Sequence, residues 1–215
     1  MQITPDKPVA LIGYSGHGYV VADAVLRAGG KIAGYFDREE KEKNPFGLAY
    51  LGPESVAEAK TVLESADYFV AIGDNQLRKR ISLALAQMTG RSAASVIHPS
   101  AVISPTVLLS TGILIAANAT LNPLVAVGEG AICNTSCSID HECRIGAYAH
   151  IGPGAVLSGN VTVGENTFIG ANAVVRQGIT IGSNVIVGAG CVVVKDVEDG
   201  VVVVGNPQKV ISSKF

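Results

Sequence analysis

From Ile97 onward an apolar residue returns at every sixth position, seventeen times in succession: Ile97, Ile103, Leu109, Ile115 and so on to Val193. Four residues after each of these stands Ala, Val, Ile, Cys or Thr, again without exception, from Ala101 to Val197. Gly, Asn and Pro crowd the positions between them. A six-residue period fits neither an amphipathic helix nor a simple strand alternation, and it predicts a parallel β-helix. Each hexad supplies one short strand and one turn, so three hexads close an 18-residue triangular coil. Seventeen hexads give about 5.7 coils, a prism roughly 27 Å tall at the usual spacing of paired strands. The first apolar residue and the small residue point inward. A core this narrow has no room for Trp, and the chain has none; aromatic residues are only 5%.

Charge divides the 215-residue chain in two. Residues 1–96 carry 22 of its 34 charged side chains, whereas Ile97–Glu198 carry nine. We therefore expect two domains, 1–92 and 93–215. In the first, strand and helix signals alternate: strands at 9–12, 31–36 and 68–72, helices at 19–28, 53–63 and 76–88. This order predicts a small Rossmann-like α/β unit with a parallel sheet, which binds ligands at the carboxyl ends of its strands. Three strands suit a mononucleotide rather than a full dinucleotide.

Composition also excludes several classes. The net charge is −2 with no Lys/Arg-rich run, so the footprint of a nucleic-acid binder is missing. No uncharged apolar stretch of membrane-spanning length occurs, and the opening Met1–Lys7 lacks a signal core. A cytoplasmic protein without membrane insertion is expected. The four cysteines, Cys133, Cys137, Cys143 and Cys191, all fall on inward slots of the hexads and read as packed thiols.

Candidate chemistry starts with histidine, which is scarce. His141 is third in the hexad Ile139-Asp140-His141-Glu142-Cys143-Arg144, facing outward at a turn between two carboxylates. A carboxylate that accepts one imidazole N–H fixes the tautomer and makes the other nitrogen a better base. Gly159 lies 18 residues on, one coil above His141, and offers a backbone N–H suited to an oxyanion. His150 is half a coil away and projects from a different edge, so the two histidines would meet only if prisms pack around a three-fold axis. In the first domain, Gly13-Tyr14-Ser15-Gly16-His17-Gly18 follows a strand and opens a helix, a weak phosphate-loop signal. Asp37 and Gly73 close the next two strands.

The hexads resemble the left-handed β-helix of the hexapeptide acyltransferases, and the left hand is an expectation from that resemblance. Across nearly the whole chain, Ser15-Gly16-His17-Gly18, Phe36-Asp37-Arg38, Ala71-Ile72-Gly73-Asp74-Asn75 with Arg78-Lys79, Ile97-His98-Pro99-Ser100-Ala101, Asn134-Thr135-Ser136 and Asp140-His141-Glu142-Cys143 resemble, in order, the bacterial sugar O-/N-acetyltransferases. That group includes sialic acid O-acetyltransferases and UDP-4-amino-sugar N-acetyltransferases. The resemblance implies that Ser15, Gly16, His17, Asp37, Arg38 and Gly73 hold a nucleotide sugar. It makes His141 the general base and Glu142 its partner. Asn134, His150, Gly159, Gly170, Ala171, Gly188 and Ala189 would hold acetyl-CoA between the β-helices of a homotrimer. The pair Asp37-Arg38 departs from the two acids found at this strand end in a member of the family, which bears on the choice of base.

The resulting expectation is acetyl transfer from acetyl-CoA, without a metal, to the 4-amino group of a UDP-linked 4-amino-4,6-dideoxy sugar. The alternatives are O-acetylation of a sugar such as sialic acid, and N-acetylation of a GDP- or dTDP-amino sugar. A zinc hydratase on the same fold and a non-catalytic nucleotide-sugar scaffold are the rivals from other classes.

Overall fold

The computed structural model describes residues 7–53 and 56–213. The chain divides into two compact units, one ending at Pro99 and the other beginning at Ser100.

The first unit is built on β1 (Val9–Ile12), α1 (Gly16–Arg27), β2 (Ile32–Phe36), α2 (Val56–Ser65), β3 (Asp67–Val70) and α3 (Asn75–Thr89). Its sheet has the order β2-β1-β3, parallel throughout. The apolar run Val9–Ile12 takes the centre, and all four residues are buried. This is the position at which a strand has no polar face to show. Ile12, Phe36, Tyr68 and Val70 pack with Leu63 and Leu85 of the helices to form the core. The alternation read from the sequence is reproduced. Of the predicted 53–63 helix, residues 54 and 55 lie outside the described residues, as do residues 1–6 of the opening stretch.

Helix α1 begins at Gly16, three residues before the expected start, because Ser15 is the last extended residue (φ −134°, ψ −158°). The glycines of the turn permit this. A Cβ on Gly18 would come within 2.8 Å of the Gly13 carbonyl oxygen, so the helix can approach the end of β1 only with glycine there.

The second unit is a parallel β-solenoid. Sixteen two-residue strands run from Val102–Ile103 to Val192–Val193, each paired in parallel with a strand 18 residues away. Ile132 pairs with His150, Ser138 with Val156, and Arg144 with Thr162, one pair from each of the three faces. We name the faces after His150, Ser138 and Arg144. Strands Val201–Val204 and Lys209–Ser213 extend the His150 face, the last one antiparallel. The inward slots are filled as the hexads require: Ile139, Leu157 and Val175 are fully buried, and so are the small residues Ala155, Ala173 and Cys191. All four cysteines are buried and free. Among the described residues no helix is long and apolar enough to cross a membrane.

Candidate functional site

Three places gather the residues singled out above. The first is a cavity of about 510 Å³ at the carboxyl ends of the first unit's strands, lined by Gly13, Ser15, Asp37, Arg38, Gly73 and Asp74 among others. Two helices point their N-termini near it and are finished differently. Asp74 caps α3 by accepting the Leu77 N–H at 2.8 Å. Ser15 stands at the N-cap of α1 with no side-chain capping bond. The N-terminus of α1, uncapped by a side chain, and the positive end of its dipole suit an anion such as phosphate. A Cβ on Gly16 would meet nothing within 4 Å, so no neighbour in the chain requires glycine there.

Asp37 lines the cavity but is already engaged. Its Oδ2 accepts the Tyr14 N–H at 2.9 Å, while Oδ1 accepts the Arg38 N–H at 2.8 Å and pairs with Lys41 Nζ at 2.9 Å. It ties the β1 turn to the end of β2. His17 stands behind the cavity wall rather than in it. Burial, reinforced by the nearby Arg78 charge, pulls its imidazole down to about 4, so the ring is neutral at physiological pH. Arg78 itself is buried, donating to the carbonyls of Ile72 and Gly73 at 3.1 Å each and to Asn75 Oδ1 at 2.8 Å. It therefore holds the loop that carries Gly73.

The second place is the solenoid corner after the Ser138 face. His141 Nδ1 lies 3.0 Å from Glu142 Oε2, and both side chains are about half exposed. With Nδ1–H donating to the carboxylate, the neutral ring carries its lone pair on Nε2. Glu142 reaches Nδ1 from a left-handed backbone (φ +61°), a conformation otherwise filled mostly by Asn and Gly along the solenoid. The turn is held from both neighbouring coils. The Asn160 N–H donates to the His141 carbonyl at 2.8 Å, the Glu142 N–H donates to the Pro123 carbonyl at 3.0 Å, and Cys143 Sγ donates to the Ser158 carbonyl at 3.2 Å. The coil above presents Gly159, where a Cβ would fall 2.4 Å from both Cε1 and Nε2 of His141. Glycine is what lets the ring lie where it does.

The third place is the corner after the His150 face. Asn134, Gly170 and Gly188 fall in one column here, with Ala171 and Ala189 beside them. A Cβ on Gly170 would lie 2.5 Å from the Ala189 nitrogen, so this column packs coil on coil. His150 is on the flat face rather than at an edge, and it is buried. Its Nε2 meets Asn134 Nδ2 at 2.9 Å, and its ring packs edge-on against Phe168 at 5.0 Å. The structure thus brings His141 together with Glu142 and Gly159, and Asn134 with His150. It places the two histidines on different parts of one solenoid. Among the described residues no group of three or more metal-type ligands gathers.

Sequence reasoning saw Asp140 beside His141 but gave it no role. Its Oδ1 accepts both the Asn122 Nδ2–H and the His141 N–H at 2.8 Å. The signal was available, because Asn122 precedes Asp140 by one 18-residue coil.

Comparison with known proteins gives this geometry a family. Residues 8–85 match the PglD N-terminal domain, and residues 160–195 match the bacterial transferase hexapeptide (six repeats). UDP-N-acetylbacillosamine N-acetyltransferase of Bacillus subtilis (strain 168) is 32% identical over 113 residues, a stretch that is 52% of this chain and 52% of that protein. The acetyltransferase domain of PglB from Neisseria gonorrhoeae FA1090, in complex with acetyl coenzyme A, is similar at TM-score 0.89 and 36% identity, covering 95% of this chain and 99% of that one. A histidine-to-alanine mutant of GDP-perosamine N-acetyltransferase from Caulobacter crescentus, in complex with CoA and GDP-perosamine, is similar at TM-score 0.90 and 38% identity, covering 96% of this chain and 97% of that one. With both halves matched and such likeness along nearly its full length, the chain belongs to the PglD-like sugar acetyltransferases of the hexapeptide-repeat superfamily.

Proposed function

We propose that this protein moves an acetyl group from acetyl-CoA to the 4-amino group of a nucleotide-linked 4-amino-4,6-dideoxy sugar, with UDP as the carrier. The observation that carries the reading is the pair His141–Glu142, held at 3.0 Å on an exposed corner under a glycine. An amine needs no covalent enzyme intermediate. His141 Nε2 removes a proton from the attacking nitrogen, the carbonyl carbon of the thioester becomes tetrahedral, and collapse expels the CoA thiolate. Glu142 keeps the lone pair on Nε2 and stabilises the imidazolium that forms. The Gly159 N–H serves the developing oxyanion.

The nucleotide sugar is held in the 510 Å³ cavity, with its diphosphate at Ser15, Gly16 and the N-terminus of α1 and its nucleoside toward Asp37, Arg38 and Gly73. His17, neutral and partly buried, shapes the wall behind. Asn134, Gly170, Ala171, Gly188 and Ala189 take the pantetheine arm, and His150 orients Asn134. That assignment supports a homotrimer with sites between solenoids. Exposed Leu108 and Val102, at 71% and 63%, leave apolar surface on two faces for such packing. Both co-substrates put the activity in the cytoplasm.

The test is thiol release from acetyl-CoA with UDP-, GDP- and dTDP-linked 4-amino sugars and with free sialic acid. The UDP sugar is expected to give the highest kcat/KM, and His141→Ala to lower kcat by ~10²–10⁴-fold with acetyl-CoA KM little changed. The Caulobacter relative's histidine mutant, solved with both ligands bound, is in keeping with a histidine dispensable for holding them. A faster reaction with sialic acid would replace N-transfer by O-transfer; a faster one with the GDP sugar would change the base.

A further inference from the structure

The slot directly after each inward apolar residue holds Gly, Ser, Asn or another uncharged residue in most hexads, and a carboxylate in one alone, at Asp140. That carboxylate is fixed from below. Asn122, one coil earlier in the same slot, donates its amide to Asp140 Oδ1 at 2.8 Å, and the same oxygen accepts the backbone N–H of His141 at 2.8 Å. The Asn122 amide, and after it the His141 N–H, hold the Asp140 carboxyl below the usual carboxylate range, so it is a full acceptor across the working pH range.

We propose that Asn122 and Asp140 are positioning residues for His141, acting as a relay: the amide sets the carboxylate, and the carboxylate sets the backbone from which the imidazole leaves the corner. The inference rests on His141 being the base. Glu142 fixes which nitrogen carries the lone pair, and its own N–H is tied to the Pro123 carbonyl of the coil below, but its carboxylate does not touch the His141 backbone. The tie to Asn122 anchors the residue just before His141 to another coil, which an internal hydrogen bond of the turn does not do. The His141 carbonyl accepts the Asn160 N–H at 2.8 Å, and the Asp140 and Glu142 N–H groups donate to the carbonyls of Leu157 and Pro123 at 2.9 and 3.0 Å, so what the Asp140 carboxylate adds is a bond to the N–H of His141 itself. A wall stands on the other side of the ring, since Gly159 leaves just enough room for it. With a ring so closely fitted, a shift of the turn by a fraction of an ångström either presses it into Gly159 or draws Nε2 away from the amine. The charges that face the ring are Asp140 and Glu142; the coil above brings Ser158, Gly159 and Asn160, and the coil below Asn122, Pro123 and Leu124, none ionisable.

The experiment compares Asn122→Ala, Asp140→Ala, Asp140→Asn and His141→Ala in the full chain. Each is measured for kcat and both KM values with the UDP-linked 4-amino sugar, for CoA binding, and for the NMR resonances of the His141 ring. A misplacement of about 1 Å costs up to ~10²-fold, so the two alanine variants at 122 and 140 should lose ~10–100-fold in kcat with both KM values nearly unchanged. Asp140→Asn keeps an oxygen for the His141 N–H and should recover to within about threefold of wild type. The ring resonances should shift and broaden in the alanine variants and return in Asp140→Asn. Wild-type kcat and an unmoved ring in Asp140→Ala would overturn the relay. So would a loss of kcat in all three that tracks weakened CoA binding, the mark of a damaged solenoid. If His141→Ala stays active, the assignment of the base fails instead, and the ring resonances still decide whether Asp140 positions it.

Discussion

The position of Glu142 shows a residue held where its own preference opposes it. Left-handed backbone places the Cβ of an L residue against the following carbonyl and costs roughly 1–2 kcal/mol, least for Asn and nothing for Gly. Along the solenoid this slot is taken mostly by Asn118, Asn160, Asn166, Asn172 and Asn184 or by glycine, and otherwise by Leu124, Ser136 and Tyr148, at φ near +60°. Glu142, at φ +61°, is one of four exceptions, and what it obtains there is the 3.0 Å bond to His141 Nδ1. Strain kept at a site is a pointer to function. Glu142→Asn should therefore raise stability by about 0.5–1 kcal/mol, read as a higher Tm, while lowering kcat several-fold because the shorter amide cannot reach and charge the ring's partner site. A variant with lower Tm and unchanged kcat would show Glu142 to be a structural residue. The odd glutamate was legible in the sequence as an acid beside a histidine, but its strain was not, since only the coil position shows which backbone it must adopt.

At the scale of elements, legibility followed how strictly the inward faces constrain residue type. In the solenoid every coil must present the same small cross-section to its neighbours, so apolar and small residues recur on schedule and the 18-residue pairing could be read directly. The first unit is looser. Asp37 closes β2 as its position suggested, yet its carboxylate is occupied by Tyr14, Arg38 and Lys41 rather than left open, because a surface loop can fold back on a strand end without any periodic trace. Arg78 entered the sequence reading only within the Arg78-Lys79 part of the family-like motif, and it is buried, bonded to Asn75 Oδ1 and to two backbone carbonyls that carry no sequence signature. The two helix starts make a matched test of what each serves. Asp74 satisfies an N–H of α3, so Asp74→Ala should destabilise the unit by about 1 kcal/mol. Ser15 makes no capping bond in α1, so Ser15→Ala should leave Tm unchanged and raise KM for the nucleotide sugar, with acetyl-CoA KM unaffected. A drop in Tm equal to that of Asp74→Ala, with no change in KM, would assign Ser15 to folding alone.

For the whole molecule, the decisive fact is that one solenoid does not assemble all the residues assigned to the reaction in one place. His141, Glu142 and Gly159 share the corner after the Ser138 face, whereas Asn134, Gly170, Ala171, Gly188 and Ala189 share the corner after the His150 face. His150 does not bridge them: it is buried, with Nε2 directed to Asn134 of its own chain. If both corners serve a single acetyl transfer, they come from neighbouring copies around a three-fold axis, and a solution mass near three times 22.1 kDa is expected. Subunit mixing separates this from a self-contained site. His141→Ala removes the base from one corner, and Ala189→Trp, at an exposed position, fills the other without entering the core. Each variant alone should be nearly inactive. Co-expressed in equal amounts, they form mixed trimers in which a site is complete when an intact His141 on one subunit meets an intact Ala189 on the next, about a quarter of all sites. Recovery of about that fraction of the wild-type rate, rising and falling with the mixing ratio, is the expected result. No recovery in trimers shown by mass to contain both variants would put the base and the thioester on one chain, and the assignment of the pantetheine arm to the Gly170–Gly188 corner would then have to move.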